Sequence, residues 1–588
     1  MKRTIPENSV SGVVTFDILS EGKVINPATQ IISIVVSKEV NRVPIARIVI
    51  KDGSTTEEDW EVSNLDLFEP GKKIEIKAGR DGKNDSIFKG IVVKQRIKSS
   101  EFANSTLQVE CKDESVKLTV GRKNRYFENS KDSDILSKII KESGLKADIE
   151  ATKVKHKEMV QHHSIDWDFI LARAAANSLL VMPDDGKIIA KKPNSSSKPV
   201  VELLYGATMY AFEAELNAQE QWKAVEGKSW DYAKQSLFEA KGSKPAFKDH
   251  GNLSGDKLSD VLGLKKLETR HTGHVVQEEL KAWTDACLQK SRLSKIVGQC
   301  RFDGQAKVKP GTVIKLGGVG KRFNGNAYVT GVHHELAEGN WFTNAQFGLA
   351  SDWSVHKPTI TEEPAGGLLP GIHGLQVAKV VQLEKDPDGE DRILVKLPII
   401  DNAAKGIWAR VASLDAGKKR GWYFRPEIDD EVVVGFLNAD PRDAIVLGML
   451  HSSKNPAPIV AKDVNHEKGL VTRSEIKVLF DDEKKIITIE TPAKNSIVIS
   501  EEDKSIVITD QNKNKIEMAD IGITMSSLKD ITLDAKGKIN IKAAQDVAME
   551  GLNVNIKAKA QLAAKGTAGA EFSASGQTIV KGAMVMIN

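Results

Sequence analysis

Ile523-Thr524-Met525, Ile531-Thr532-Leu533, Ile539-Asn540-Ile541 and Val547-Ala548-Met549 begin eight residues apart. The step slips by one at Val554-Asn555-Ile556 and resumes at Leu562-Ala563-Ala564 and Ala570-Glu571-Phe572. Each unit is apolar, any residue, apolar, followed by a polar break such as Asp534-Ala535-Lys536-Gly537-Lys538. Upstream, Ile497-Val498-Ile499 and Ile506-Val507-Ile508 are looser versions. Alternate residues of a strand share a face, so Ile531 and Leu533 point one way and Thr532 the other. A short fixed period reads as a β-helix or solenoid. With two inward side chains per face, one chain would close only a thin core. Three chains wound together close a continuous apolar prism and leave no strand edge open.

The expected element over 486–588 is therefore one third of a triple-stranded, trimeric β-helix needle. Its core is Ile523, Met525, Ile531, Leu533, Ile539, Ile541, Val547, Met549, Val554 and Ile556. At ~4.8 Å per eight-residue layer, roughly a dozen layers make a rod of about 60 Å. Lys529, Asp530, Lys536, Lys538, Lys542, Asp546, Lys557 and Lys559 fall between or beside the inward pairs, as a solvated outer face requires. Past Ala558 the inward positions shrink to Ala564 and Ala570, which predicts a slimmer tip. The alternative is a set of ordinary hairpins in a β-sandwich, whose strands are usually longer.

At 588 residues the chain has room for several domains. Lysines and arginines number 84 against 80 acids, a net charge of +4, so charge points to neither nucleic acid nor a membrane surface. Cys111, Cys287 and Cys300 have no ligand spacing and form no even-numbered framework, which fits folding in a reducing compartment. Met1-Lys2-Arg3-Thr4-Ile5-Pro6 leads into no apolar signal core, and no run of about 18 apolar residues follows. Synthesis and assembly in the cytoplasm are expected, with any export by a route other than a cleaved signal.

Residues 1–355 read as a mainly β hub of two barrel units with helical insertions. Ile31-Ile32-Ser33-Ile34-Val35-Val36 and Ala46-Arg47-Ile48-Val49-Ile50 are strand runs. A helix over 132–143 capped by Asp132 or Ser133 and ended by Gly144, a second from about Ser164, and a third over 278–296 interrupt them. Pro358, Pro364, Gly366, Gly367, Pro370 and Gly371 mark a linker at 356–374. Residues 375–455 then offer five strands, at 376–383, 392–397, 408–411, 431–437 and 444–450, enough for an OB-fold barrel. A connector spans 456–485.

This order resembles the VgrG spike family of type VI secretion and related contractile injection systems, which looks like a phage baseplate hub fused to a tail spike. The resemblance is strongest in Gly406-Ile407-Trp408-Ala409-Arg410-Val411 and in the run from Gly421-Trp422-Tyr423-Phe424-Arg425-Pro426 to Val434-Gly435-Phe436. Asp166-Trp167-Asp168-Phe169, Pro310-Gly311, Phe323-Asn324-Gly325 and Val332-His333-His334 add to it. It implies a homotrimer whose partners are an inner tube protein, baseplate components and effector cargo. It also implies a PAAR-type tip protein, for which Met584, Val585, Met586 and Ile587 would make a blunt apolar docking end. Relatives with a lysozyme-like insert carry it between barrel and needle, where 450–486 is too short, and relatives with a toxin carry it after the needle.

No reaction chemistry is expected, and no cofactor or metal. His333 and His334 are neighbours in a strand and face opposite ways, so they cannot share an ion from one side. His162-His163 lacks further converging ligands. Gly317-Gly318-Val319-Gly320-Lys321-Arg322 lacks the spacing and hydroxyl of a phosphate loop and reads as a hairpin turn. The contrasting functional reading is a β-helical tail-spike enzyme or carbohydrate binder. That needs clustered carboxylates and aromatic platforms, whereas aromatics make up 5% of the chain.

Overall fold

Alternating β-branched runs near the N-terminus become strands Ile31–Glu39 and Ile45–Lys51. The computed structural model describes residues 12–101, 103–245, 250–273, 275–353, 360, 363–400, 403 and 405–587. Met1 to Pro6, Pro358 and Asn588 lie outside the described residues. Ile34, Val36, Ala46, Ile48 and Ile50 take the inward positions and are fully buried, as expected for side chains that fit a pleated surface. The chain divides into two compact units, Met1–Gly448 and Met449–Asn588.

In the first unit, one antiparallel path runs Met209–Leu216, Ile296–Asp303, Asn340–Phe347, Gly325–Ala337, Ile31–Glu39, Ile45–Lys51, Ala103–Lys112, Lys83–Ser100, Lys73–Arg80, Val14–Ser20 and Lys23–Val24. The two expected β units each have a core, one around Phe68 and Phe88 and the other around Phe302 and Phe347. They share one sheet, because Leu336 sits opposite Ile34 and His334 opposite Val36. The 317–322 stretch is the expected hairpin turn, since Val313–Gly317 pairs antiparallel with Gly325–Ala337.

Helix α1 (Asp132–Glu142) buries Ile135, Leu136, Ile139 and Ile140 as one stripe, and Gly144 with φ +77° ends it. The expected cap is corrected: Lys131 precedes the helix, and Asp132 lies in its first turn with its carboxylate turned to other partners. Helix α2 (Asp166–Ala176) starts two residues later than read, because the preceding strand runs through Ile165. Helix α3 (Gly255–Ser259) is short. Helix α4 (Gln277–Leu293) stops at Leu293, since Ile296 already begins the next strand.

All five small-barrel strands form: Gln376–Gln382, Ile393–Lys396, Ile407–Val411, Glu431–Phe436 and Ala444–Met449. They close into a barrel by a parallel pairing of Ile407–Val411 with Ala444–Met449. Ala378, Val380, Ile393, Val395, Ala409, Val432, Val434 and Val446 fill it.

The second unit is an antiparallel meander of five-residue strands: Glu467–Val471, Lys477–Asp481, Ile486–Glu490, Ser496–Ser500, Ser505–Thr509, Lys515–Ala519 and Gly522–Ser526. Two expectations change. The stretch read as a connector already supplies the first two strands. The looser units at Ile497 and Ile506 are neighbours within one chain and run antiparallel. The repeat is nineteen residues, one hairpin long: strands start at Glu467, Ile486 and Ser505, and at Lys477, Ser496 and Lys515.

Five of the six reversals carry a non-glycine residue of positive φ, at Glu475, Lys485, Lys494, Lys504 and Lys513, and the sixth has Gly522 at φ +119°. Side chains fix these turns. Asp510 accepts from the Asn512 and Asn514 backbone N–H groups at 2.8 Å each, and the Ile476 N–H donates to Thr472 Oγ1 at 3.2 Å. Such local bonds let a lysine or glutamate hold a conformation that otherwise favours glycine. From Ser527 to Ile587 the described chain has no assigned strand or turn.

Candidate functional site: the apolar face of the second unit

Period-two alternation places the second and fourth residues of each meander strand on one face. Register then lines them into two continuous ladders. One runs Phe480, Ile487, Ile499, Ile506, Met518 and Ile523. The other runs Leu470, Val478, Ile489, Ile497, Ile508, Ile516 and Met525. Ten of these side chains are exposed, from 38% at Ile487 to 71% at Ile523. A groove of about 570 Å³ lies along Ile489, Ile497, Ile508, Ile516, Met525 and Ile531.

The other face is polar at its margins. Lys494 pairs with Glu490 at 2.9 Å, Lys515 with Glu517 at 2.7 Å and Lys485 with Glu501 at 3.1 Å. These exposed pairs give the unit a wet side and contribute little stability.

Of the expected needle core, Ile523 and Met525 lie on this face, at the last strand of the meander. Ile531, Leu533, Ile539, Ile541, Val547, Met549, Val554 and Ile556 are not brought into any sheet and are between 53% and 70% exposed. The tip residues Met584, Val585, Met586 and Ile587 are 50–90% exposed. The nineteen-residue repeat carries no turn signal in the sequence because its turns hold lysine and glutamate where glycine or asparagine would mark reversal.

In the first unit, the densest set of ionisable groups joins α1, α2, α4 and strand Lys155–Ile165. Asp132, 1% exposed, accepts from Arg173 at 2.7 and 3.0 Å and from Asn177 at 2.9 Å, and lies 2.9 Å from His156 Nε2. Arg173 also donates to Glu279 at 2.9 Å. Burial would raise the Asp132 pKa, but hydrogen bonds from His156, Arg173 and Asn177 more than offset it and hold the carboxyl well below the usual range. Every strong donor is matched, so the cluster ties helices together and presents no free nucleophile. Its other members lie 24 to 147 positions from Asp132, a spacing no local pattern reports.

The histidine pairs behave as strand geometry requires. His334 is buried, 3.0 Å from Thr343 Oγ1, and burial with Lys38 nearby pushes its pKa down to about 3. His333 occupies the opposite face, where it is half-buried. His162 and His163 sit at a bulge with rings 6.5 Å apart. Among the described residues no group of three or more His, Cys, Asp or Glu is placed to hold a metal, and no helix is long and apolar enough to cross a membrane. Burial raises the three thiols to about 11 or 12, so they are poor nucleophiles in the folded chain.

Residues 10–338 match the family described as the Alg8 N-terminal domain, and residues 376–451 match the type VI secretion system/phage-baseplate injector OB domain. Over 117 residues the chain is 32% identical to the type VI secretion system spike protein VgrG3 of Vibrio cholerae, covering 18% of this chain and 11% of that protein. Over 123 residues it is 33% identical to the spike protein VgrG5 of Pseudomonas aeruginosa, covering 19% and 14%. The match thus spans about a tenth to a seventh of these relatives' length. A tail protein from Neisseria meningitidis superposes with a TM-score of 0.43 at 13% identity, covering 59% of this chain and 99% of that one. The VgrG-type resemblance read from the small barrel holds, and over more than half its length the chain belongs to the Alg8 N-terminal domain family.

Proposed function

We propose that three copies of this chain form the central spike of a contractile injection system, either of the type VI kind or an extracellular phage-tail-like particle. The observation that carries this reading is the pair of bare apolar ladders in a chain that also has an injector-type OB barrel. Ladders of this length need a cover, and two further copies would supply it. The hub then couples the inner tube and baseplate to the needle. A PAAR-type tip protein docks on Met584, Val585, Met586 and Ile587, and effectors ride on the flank or the tip. The needle narrows past Ala558.

The role is mechanical and requires no bond-making step. Assembly takes place in the cytoplasm, and contraction carries the spike into the target, whose membrane it meets by puncture. Mass measurement of the purified full chain is expected to give three copies; a stable monomer at micromolar concentration overturns the reading. Deleting 584–588 should end capture of the tip protein, and undiminished capture would remove the docking assignment. Release of reducing ends from a glycan would instead move the chain to the enzyme class.

A further inference from the structure

We infer that the apolar face of the meander, residues 467–526, is the surface on which copies of this chain first recognise one another, and that 527–587 is ordered only afterwards, on that template. This rests on the trimeric reading above and adds to it an order of assembly. The occupant of the face is a second copy of this chain.

The inference comes from a difference between two successive stretches with similar apolar patterning. In the meander every inner strand is hydrogen-bonded on both sides within its own chain, and the turns are fixed by side chains such as Thr472 and Asp510. Its backbone needs nothing from a partner, so the face exists before association. Its ten exposed large side chains offer a surface on the order of the ~800 Å² per partner that specific interfaces bury. That surface is rigid, so association costs little ordering entropy.

Residues 527–587 are the reverse case. They keep apolar pairs such as Ile539 and Ile541, yet no strand ladder holds them within the described chain. Fixing an extended residue costs about 1–2 kcal/mol of backbone entropy, and buried backbone groups must find partners. A single copy supplies neither the apolar cover nor the hydrogen bonds. Once three meanders have met, the following segments are tethered side by side at high effective concentration. Ile523 and Met525 end the two ladders, so the apolar positions that follow enter the prism in phase. Closure then runs from Ser527 towards Ile587.

The test compares two paired substitutions in the full chain by native mass spectrometry and amide exchange. I497E/I508E places two like charges on cross-strand partners of the meander face. I539E/I541E places the same charges beyond it. The expected result is that I497E/I508E is monomeric, with trimer formation weakened at least 100-fold, while amides 486–509 keep their protection. I539E/I541E is expected to remain trimeric, with protection lost from about residue 531 onward while amides 486–509 keep theirs. The inference is overturned if I497E/I508E stays trimeric, if I539E/I541E is monomeric, or if the meander amides of I497E/I508E lose protection. A monomeric unsubstituted chain would instead overturn the trimeric reading.

Discussion

Strand Glu431–Phe436 of the small barrel and strand Ser496–Ser500 of the meander are written alike, each with three β-branched residues in a row. Their outcomes are opposite. Val432 and Val434 are completely buried, whereas Ile497 and Ile499 are 39% and 42% exposed. The barrel closes, so its five strands create their own inside. The meander leaves one whole face open. Alternation decides which residues share a side, and closure within a chain or between chains decides whether that side is an interior.

The largest test of this contrast concerns the polar interior of the first unit. Asp132→Asn leaves the Arg173 charge poorly matched inside the protein, and unfolding of that unit should cost about 3–5 kcal/mol less, read from its denaturation midpoint. Next, Ile393→Ala in the barrel should lose about 3 kcal/mol by leaving a cavity. Ile497→Ala should leave the first unit's transition unchanged and make only the proposed trimer easier to dissociate on dilution. Equal effects on the first unit would erase the distinction between the two surfaces.

Acid provides a fourth probe. His334 is held neutral in the fold, with a pKa of about 3, and would titrate near 6.5 when unfolded. The unfolded chain therefore binds the extra proton between these values. Stability contributed above pH 6.5 falls as pH drops, by up to about 1.4 kcal/mol per unit. His334→Gln should flatten that limb of the stability curve. The smallest effect belongs to Lys494, at φ +66° and ion-paired only at the surface. Lys494→Gly should stabilise the meander by under about 1 kcal/mol, seen as slower exchange of amides 486–500.

Local pattern carried much of this fold into view. The barrel strands, the stripe Ile135, Leu136, Ile139 and Ile140, and the hairpin at 317–322 follow from period, turn residues and short-range packing. Asp132 reads as a cap because aspartate near a helix start usually is one; its partners come from α2, the residue that follows α2 and a strand. The hub sheet is continuous because Gly325–Ala337 finds Ile31–Glu39 about 300 residues away, a pairing no window contains. In the second unit the face was legible, since Ile523 and Met525 do share it. The direction of the strands upstream was not, because reversal there depends on side-chain bonds to backbone such as Asp510 to Asn514.

The nineteen-residue hairpin repeat sets the increments by which such a meander can be lengthened or shortened in evolution. Inserting a single strand would reverse chain direction and send everything downstream back along the wrong side. Inserting a full hairpin preserves direction and both apolar ladders, and adds two strand spacings, about 10 Å. Viable descendants of this meander should therefore differ by whole hairpins, with length changing in steps rather than continuously.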